Sequence, residues 1–377
     1  MRLKIISFLL LVSSSAMAVN YAGPVGHREA FLANSGGAMI DSPGNVLLNP
    51  AGLGFRQNKE TALSVSGNAV ARQEFNVSQY SVDPEEMTVR PLLAASVFPT
   101  QYGTMAVFLA NPTAFRIYGG SEYTTSGVAV KTLLRIDYQE LATGVTFANT
   151  VNSDLAWGVS AGVSIETQKS YGYTRAFQTG VTAATSFNLT EQKTVSLFVT
   201  PGLLYKATDF WHIGLSMKTL ADISSTANTQ RFATSSSSPT TVEETDKSFD
   251  PNGTNPFAYR LGQEFIFSPA NSLYFDVVYV SATSAYNSNN EKYLNDEVWE
   301  GSLGYRHGFS GSYELLTGYA YTQSQNADFN MFSAGLSMNR RNNEFIVGIY
   351  YLSNTPKDAA SSGFNSYGIL FSSNVEY

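Results

Sequence analysis

Apolar and polar residues alternate along most of the chain with the period of two that is typical of β-strands. The clearest run is 154–166, where the odd positions from Leu155 to Ile165 are apolar and the even positions are small or polar. The same alternation predicts fourteen strands, at 60–75, 90–98, 103–111, 136–149, 154–169, 193–206, 210–221, 256–268, 272–283, 297–308, 312–324, 328–339, 343–353 and 363–377. Most of these segments reach the length of about 9–11 residues that a tilted strand needs to cross a membrane.

The connections between the strands alternate between short and long. Short turns are predicted at 99–102, 150–153, 207–209, 269–271, 309–311 and 340–342, and longer polar loops at 112–135, 170–192 and 222–255. This rhythm is typical of a barrel with short periplasmic turns and long extracellular loops. The last of these loops is of low complexity and polar, so we expect a mobile outer loop there.

The alternation by itself also fits a soluble sandwich or propeller. Many strands, however, carry Trp, Tyr or Phe at the ends of their apolar face, as the interfacial girdles of a membrane barrel do. The predicted fold class is therefore all-β, an antiparallel transmembrane β-barrel of about fourteen strands over residues 59–377.

The N-terminus predicts export. Arg2 and Lys4 precede a short apolar run, and Ala16-Met17-Ala18 forms a small-residue cleavage site, so residues 1–18 are interpreted as a signal peptide. A retained anchor is the alternative, but the apolar run at 5–12 is too short to span a bilayer as a helix. An exported barrel predicts a location in the cell outer membrane of a Gram-negative bacterium.

The composition limits the kinds of site that the chain can form. The chain has 22 Tyr, 24 Phe, no Cys, three His and a net charge of −7, which exclude disulfides and argue against nucleic-acid binding. We expect no metal and no cofactor. The histidines His27, His212 and His307 do not converge with Ser or Asp at any spacing we can interpret, so an enzyme is not predicted.

Residues 19–58 break the strand pattern. They are rich in small residues, and Pro50 and Gly52 favour tight irregular backbone over a helix or a strand. About forty such residues before the first strand predict a compact plug, or hatch, of short helices and irregular chain that fills the barrel lumen.

Two segments of this plug resemble the FadL/TodX family of outer-membrane transporters. They are GHREAFLANSGGA at 26–38 and GNVLLNPAGL at 44–53, and the hairpin around 201–206 and 213–218 is also similar. The resemblance implies a fourteen-stranded barrel that passively takes up long-chain fatty acids or aromatic hydrocarbons and releases them sideways near an inward kink of the third strand. It places the plug signature at Asn49, Pro50, Ala51 and Gly52. Barrels of the same fold serve type IX secretion, so a secretion component or an adhesin is the alternative.

The candidate kink is at Asn111 and Pro112, because a proline cannot donate to the strand ladder and so interrupts the wall. The simpler interpretation is that Pro112 only starts a loop. If odd positions face outward, the lumen is a mixture of apolar and charged residues, with these candidates: Phe198, Leu204, Lys206, Lys218 and Arg260. Inward cations either hold a carboxylate headgroup or form structural ion pairs.

The expected partners are a hydrophobic small-molecule ligand and the lipid and lipopolysaccharide of the outer membrane. The final strand, ending in the aromatic residue Tyr377, resembles the signal that the barrel-assembly machinery recognises.

Overall fold

The computed structural model describes residues 23–40, 42–56, 60–69, 87–125, 128–178, 181–235, 238–249, 256–286, 292–324, 327–340, 342–357 and 365–376. The predicted signal peptide at 1–18 and the C-terminal Tyr377 lie outside these residues. Within them, no helix combines the length and the apolar composition needed to cross a membrane.

The described residues form three 3₁₀ helices followed by eighteen strands. The helices are Glu29–Leu32, Pro43–Val46 and Pro50–Phe55. The strands are β1 (Glu60–Ala69), β2 (Met87–Thr100), β3 (Gly103–Ala110), β4 (Ala114–Thr125), β5 (Val128–Thr150), β6 (Leu155–Gln178), β7 (Val181–Thr208), β8 (Trp211–Ser235), β9 (Ser238–Phe249), β10 (Phe257–Ser268), β11 (Asn271–Val280), β12 (Thr283–Tyr286), β13 (Lys292–Asn295), β14 (Val298–Ser310), β15 (Tyr313–Gln323), β16 (Ala327–Arg340), β17 (Asn343–Pro356) and β18 (Asn365–Glu376).

Fourteen of these strands are joined by antiparallel pairing into a ring. Two pairings close it: β18 with β1, where Thr61 lies opposite Val375, and β8 with β10, where Gly214 lies opposite Gly262. The strands β4 and β9 lie outside the ring, paired to β5 and β8, and β12 and β13 form a separate hairpin. The predicted fourteen-stranded antiparallel barrel with short N-terminal helices is confirmed. A closed ring of pairings excludes a sandwich or a propeller.

The short turns lie where the sequence predicted them. Hairpins turn at 101–102, 151–154, 209–210, 269–270 and 311–312, all at one end of the barrel, which we call the short-turn end. These connections are short because antiparallel neighbouring strands need only a tight turn to join them.

The long polar loops predicted at 112–135, 170–192 and 222–255 are wrong over most of their length. In the structure β5, β6, β7 and β8 have 23, 24, 28 and 25 residues and continue through these segments, and β9 pairs with the upper part of β8. Backbone pairing needs no apolar side chains, so a Ser/Thr-rich segment forms a strand without the alternation that reveals one. Residues 126–127, 179–180, 236–237 and 250–255 lie outside the described part.

The predicted orientation of side chains is confirmed. Leu203 is 49% exposed while its neighbour Leu204 is fully buried, and Tyr259 is 48% exposed beside Arg260 at 8%. In β16 the parity is reversed, as its sequence pattern indicates, and Phe332 faces outward. The charged and apolar residues predicted to face inward are buried, namely Glu140, Glu166, Phe198, Leu204, Arg260, Glu264, Asp276, Val278, Glu300, Glu344 and Tyr350, and Lys206, Lys218 and Arg306 are partly buried.

Candidate functional site

The plug occupies the half of the lumen near the short-turn end. Its first 3₁₀ helix packs against β14 to β17, its second against β1 and β2, and its third against β5, β6 and β7. Nearly every described plug residue is buried, including Phe31 and Leu53. A segment without a sheet of its own satisfies its backbone groups here through side chains of the wall: Ser160 donates to the Val46 carbonyl oxygen (2.8 Å) and Ser216 to that of Leu48 (2.6 Å).

The Asn49–Gly52 segment anchors the plug. Asn49 caps the third 3₁₀ helix, since its Oδ1 accepts from the backbone N–H of Ala51 (3.2 Å) and Pro50 takes the first helical position. Its Nδ2 donates to the carbonyl oxygens of Gly37 in the plug (2.6 Å) and Leu203 in β7 (3.1 Å). One side chain therefore joins two plug segments and the wall, and a ligand role for these residues stays a prediction.

A belt of glycines lets the wall approach the plug. At eight wall positions an added Cβ would overlap plug atoms, and these eight fall into four directly opposed cross-strand pairs: Gly158 with Gly202, Gly214 with Gly262, Gly304 with Gly318, and Gly335 with Gly348. At Gly262 the nearest plug atoms belong to the backbone of Gly37 and Ala38. The lumen is therefore lined with backbone at the level of the plug, which seats the plug against the wall.

Charged residues fix the plug on the side of β15 to β18. The guanidinium of Arg28 lies 2.7 Å from Glu344 and 3.4 Å from Glu314, and His27 Nε2 lies 2.9 Å from Glu344. The other ring nitrogen of His27 bonds the Ser372 hydroxyl. Burial alone would lower the pKa of Arg28, but the two carboxylates outweigh it and raise that pKa, so the guanidinium stays charged.

The lumen candidate Arg260 also holds the plug. It donates to Asp276 Oδ2 (2.7 Å) and to the Asn34 carbonyl oxygen (3.0 Å), and the same carboxylate oxygen accepts from the backbone N–H of Gly37 (2.8 Å). Lys206 lies with its Nζ 3.8 Å from the centroid of the Phe55 ring at the end of the third 3₁₀ helix. Both cations thus contact the plug, as expected of structural pairs rather than of headgroup ligands.

The wall is interrupted between β2 and β4, at the predicted kink. β3 pairs with both β2 and β5 as far as Ala110, and the backbone N–H of Asn111 still donates to the Leu92 carbonyl oxygen (3.1 Å). After Pro112 the chain resumes as β4, which in the described residues pairs with β5 alone. Pro112 therefore does not start a loop, as the simpler interpretation had it. It lies in a three-residue break within a continuing strand.

Both rims of this break carry a proline. Residues 87–91 of β2 pair with β1 only, so their other edge is left without a strand partner in the described part of the chain. Pro91 lies on that edge of β2 and Pro112 lies in the break, and neither residue has an N–H to donate. The chain from β3 to β4 has one residue more than the stretch of β5 that it faces. Ala110 pairs with Ala142 and Ala114 pairs with Gln139, so four residue steps lie opposite three. The extra residue enforces the separation of the two edges. Pro91 was not singled out in the sequence, although a proline inside an alternating strand is the signal for it.

A small crevice with room for about one water molecule lies between the break and the top of the plug. Its lining is mostly apolar and includes two predicted lumen residues: Val46, Leu47, Pro112, Ala142, Phe198, Thr200 and Lys218. One of its lining residues, Phe198, packs near Phe108 of β3, with ring centroids 6.1 Å apart.

The cation of this crevice already has a carboxylate partner. Lys218 Nζ lies 3.8 Å from Oε1 of Glu140, which is fully buried and accepts from the Ser164 hydroxyl (2.9 Å). Glu166 lies directly opposite Glu140 on β6, which adds a second buried acid. Among the described residues no three His, Asp or Glu side chains are arranged to hold a metal ion.

Comparison with known proteins supports the fold alone. No family profile and no curated protein matches the sequence. Solved structures do: the Pseudomonas putida toluene transporter TodX (TM-score 0.67, 12% identity, 95% of this chain and 98% of that one), and the Ralstonia pickettii toluene transporter TbuX (0.66, 13%, 95% and 100%). A Pseudomonas aeruginosa FadL homologue is also similar (0.56, 13%, 94% and 98%).

This chain has the TodX fold.

Of the sequence-predicted residues, the TodX fold brings Asn111, Pro112, Phe198 and Lys218 together at the wall break and its crevice. The other candidates lie at the level of the plug: Asn49, Pro50, Ala51, Gly52, Leu204, Lys206 and Arg260. The sequence could not separate these two groups, since the distinction depends on where the plug sits in the lumen.

Proposed function

We propose that this protein is an outer-membrane channel that passively takes up small hydrophobic molecules and releases them sideways through the break between β2 and β4. The observation that carries the proposal is this break, with a proline on each rim, next to a lumen whose floor is closed by the plug. Three properties of the barrel support it.

The outer face of the barrel suits a bilayer. Large apolar side chains point away from the lumen and are well exposed, including Ile349 at 63%, Leu203 at 49% and Phe371 at 43%. Soluble monomers rarely expose an apolar belt of this kind. Aromatic pairs border it, with Phe147 and Trp157 near the short-turn end and Tyr279 and Trp299 near the other end. The predicted signal peptide supplies the export route.

The exit has to be lateral if the plug stays in place. Asn49, Arg260 and Arg28 each join plug and wall by short hydrogen bonds or ion pairs. The break lies eight residues of β3 above the short turn. At about 3.3 Å per residue and a tilt of roughly 40°, it lies about 20 Å from that turn, within an apolar band of about 25 Å.

The crevice favours neutral cargo over anions. The crevice is too small to hold a ligand as it stands, but its mostly apolar lining would favour a hydrophobic molecule over an anion at the break. Lys218 would attract a carboxylate, but Glu140 at 3.8 Å neutralises it and Glu166 adds a further acid. The neighbours named as toluene transporters point to the same class, so we propose small uncharged hydrocarbons as cargo.

The test removes the extra residue that separates the rims. Deleting Pro112 leaves three steps on each strand between Ala110 and Ala114, so β4 can continue β3 and pair with β2. The matched control deletes Ile223, the extra residue of β8 opposite Val195 and Ser196, which lies away from the break.

Uptake of radiolabelled toluene is measured in cells whose own transporters are deleted and which express each variant at equal level. We expect the wild type and the Ile223 deletion to transport, and the Pro112 deletion to lose most uptake while remaining folded. Full uptake by the Pro112 deletion would rule out lateral release at this break. No uptake by the wild type would favour the alternative role in secretion or adhesion.

A further inference from the structure

Two phenyl rings flank two glycines in one cross-strand row just below the break. From β3 through β5 and β6 to β7, the paired residues of this row are Phe108, Gly144, Gly162 and Phe198. Phe108 lies two positions before Ala110, the last residue of β3 that is paired below the break. Side chains two positions apart on a strand point to the same face, so the row lines the lumen at the lower edge of the opening.

Both rings lie over the glycines. A Cβ added at Gly162 would come within 2.9 Å of Cζ of Phe198, and a Cβ at Gly144 within 3.0 Å of Cζ of Phe108. The rings therefore reach toward each other across β5 and β6, with centroids 6.1 Å apart, and each side chain is 4% exposed. The bare backbone of the two glycines leaves the room that the rings occupy.

Phe198 is the side chain of the crevice lining whose movement opens the most space. The crevice has room for about one water molecule, so a hydrocarbon that enters it has to displace a neighbour. Val46 is held in place, because its carbonyl oxygen accepts from Ser160 (2.8 Å), and Lys218 is paired with Glu140 (3.8 Å). The Phe198 ring is larger than the other lining side chains, and it can change rotamer without breaking a hydrogen bond.

We infer that the Phe198 ring closes the inner side of the break and sets the size of the molecule that can leave through it. The inference rests on the proposed lateral release and adds the residue that determines its size limit. A ring that swings away vacates a space of the size of benzene, bounded by the glycine backbone and by Phe108. Apolar cavities of about 150 Å³ hold benzene. Hydrocarbons with one ring therefore fit where the Phe198 ring lay, whereas fused rings need more room.

The variant Phe198→Leu removes the ring and keeps an apolar side chain. The matched control is Tyr350→Leu in β17, since Tyr350 is also 4% exposed and its ring also lies over a wall glycine, Gly368. Tyr350 packs in a different buried apolar cluster from Phe198. Far-ultraviolet circular dichroism and heat-modifiable gel mobility check that both variants fold.

Access to the crevice is measured with a single thiol. The chain has no cysteine, so Thr200→Cys in the crevice lining supplies the only one. Its reaction with N-ethylmaleimide and with the larger N-(1-pyrenyl)maleimide is followed in the purified full chain in detergent. We expect Phe198→Leu to raise the rate with the small reagent by roughly tenfold or more and to admit the large one, and Tyr350→Leu to change neither rate.

Two results of the thiol measurement would overturn the inference. Equal rates with and without the Phe198 ring would show that the ring does not close the crevice. An equal rise in Tyr350→Leu would show a general loosening of the lumen instead of a gate.

Uptake by cells gives the second measurement. The ratio of naphthalene uptake to toluene uptake should rise by roughly threefold or more in Phe198→Leu and keep its wild-type value in Tyr350→Leu. An unchanged ratio in a Phe198→Leu protein that still transports toluene would overturn the inference.

The outcome is separable from the proposed function, because the thiol measurement needs no transport. If the wild type takes up no toluene but the Phe198 ring controls access to the thiol, the proposed function fails and the ring remains the gate of the crevice. If toluene uptake is intact but access to the thiol does not depend on the ring, the proposed function stands and the inference fails.

Discussion

Replacing Gly262 by alanine should loosen the plug. An ideal Cβ at this position would lie 2.6 Å from the carbonyl carbon of Gly37 and 2.7 Å from the nitrogen of Ala38. Ordinary contact begins at about 3.4 Å, so the plug or the wall has to move by about 0.8 Å, the difference between 3.4 and 2.6 Å. Both contacted atoms are backbone, and no flexible side chain can swing aside.

The expected loss of stability follows from this displacement. Overpacking a tight interior typically costs about 1–3 kcal/mol, and the move also strains the hydrogen bond from the Gly37 N–H to Asp276 (2.8 Å). Alanine also restricts the unfolded chain, which by itself raises the free energy of unfolding by roughly 0.4–1 kcal/mol. We therefore expect Gly262→Ala to lower the free energy of unfolding by about 2 kcal/mol, roughly a thirtyfold change in the folding equilibrium.

The assay compares Gly262→Ala with Gly301→Ala, because a Cβ at Gly301 meets nothing within 4 Å. Urea unfolding of the protein in lipid vesicles gives the free energies, and planar-bilayer conductance reports whether the floor of the lumen leaks ions. The control should match the wild type within about 0.5 kcal/mol and stay closed. Equal stability and equal conductance of the two variants would refute a plug seated on the glycine belt.

Three further substitutions test single contacts. Asn49→Ala removes hydrogen bonds to one buried and one partly buried carbonyl group, so urea unfolding should show a loss of about 1–3 kcal/mol. Glu344→Gln leaves the Arg28 guanidinium, 23% exposed, with a weaker partner and should cost about 2–3 kcal/mol, and a double-mutant cycle with Arg28→Gln should show less than additive loss. Glu140→Gln removes the carboxylate next to Lys218, so uptake of fatty acid relative to toluene should rise, and an unchanged ratio would contradict the cargo argument.

The sequence determined the barrel because a strand between unlike environments imposes a local pattern. Whether a residue faces lumen or lipid depends only on its parity within the strand, so the opposite exposures of Leu203 and Leu204 follow from the alternation. The turns are local too, and so were predicted. The irregular plug was visible as the one segment where alternation stops.

The tertiary structure decided what depends on contacts far apart in the chain. The polar upper halves of β5 to β8 have no alternation, and only pairing with their neighbours makes them strands. Pro91 and Pro112 lie 21 positions apart, and they become two rims of one opening only because β2 and β3 pair below them. The sequence left open whether Lys218 holds a headgroup or forms an ion pair, and the barrel decided it by placing Glu140, three strands away from β8 on β5, beside it.

The feature that defines the exit is therefore long-range in origin. The break arises because the chain from β3 to β4 has one residue more than the facing stretch of β5. Such an excess can be recognised only when both strands and their register are known. The alternation determined which side chains point into the lumen, and the register of the closed ring decided which of them meet the plug and which meet the opening.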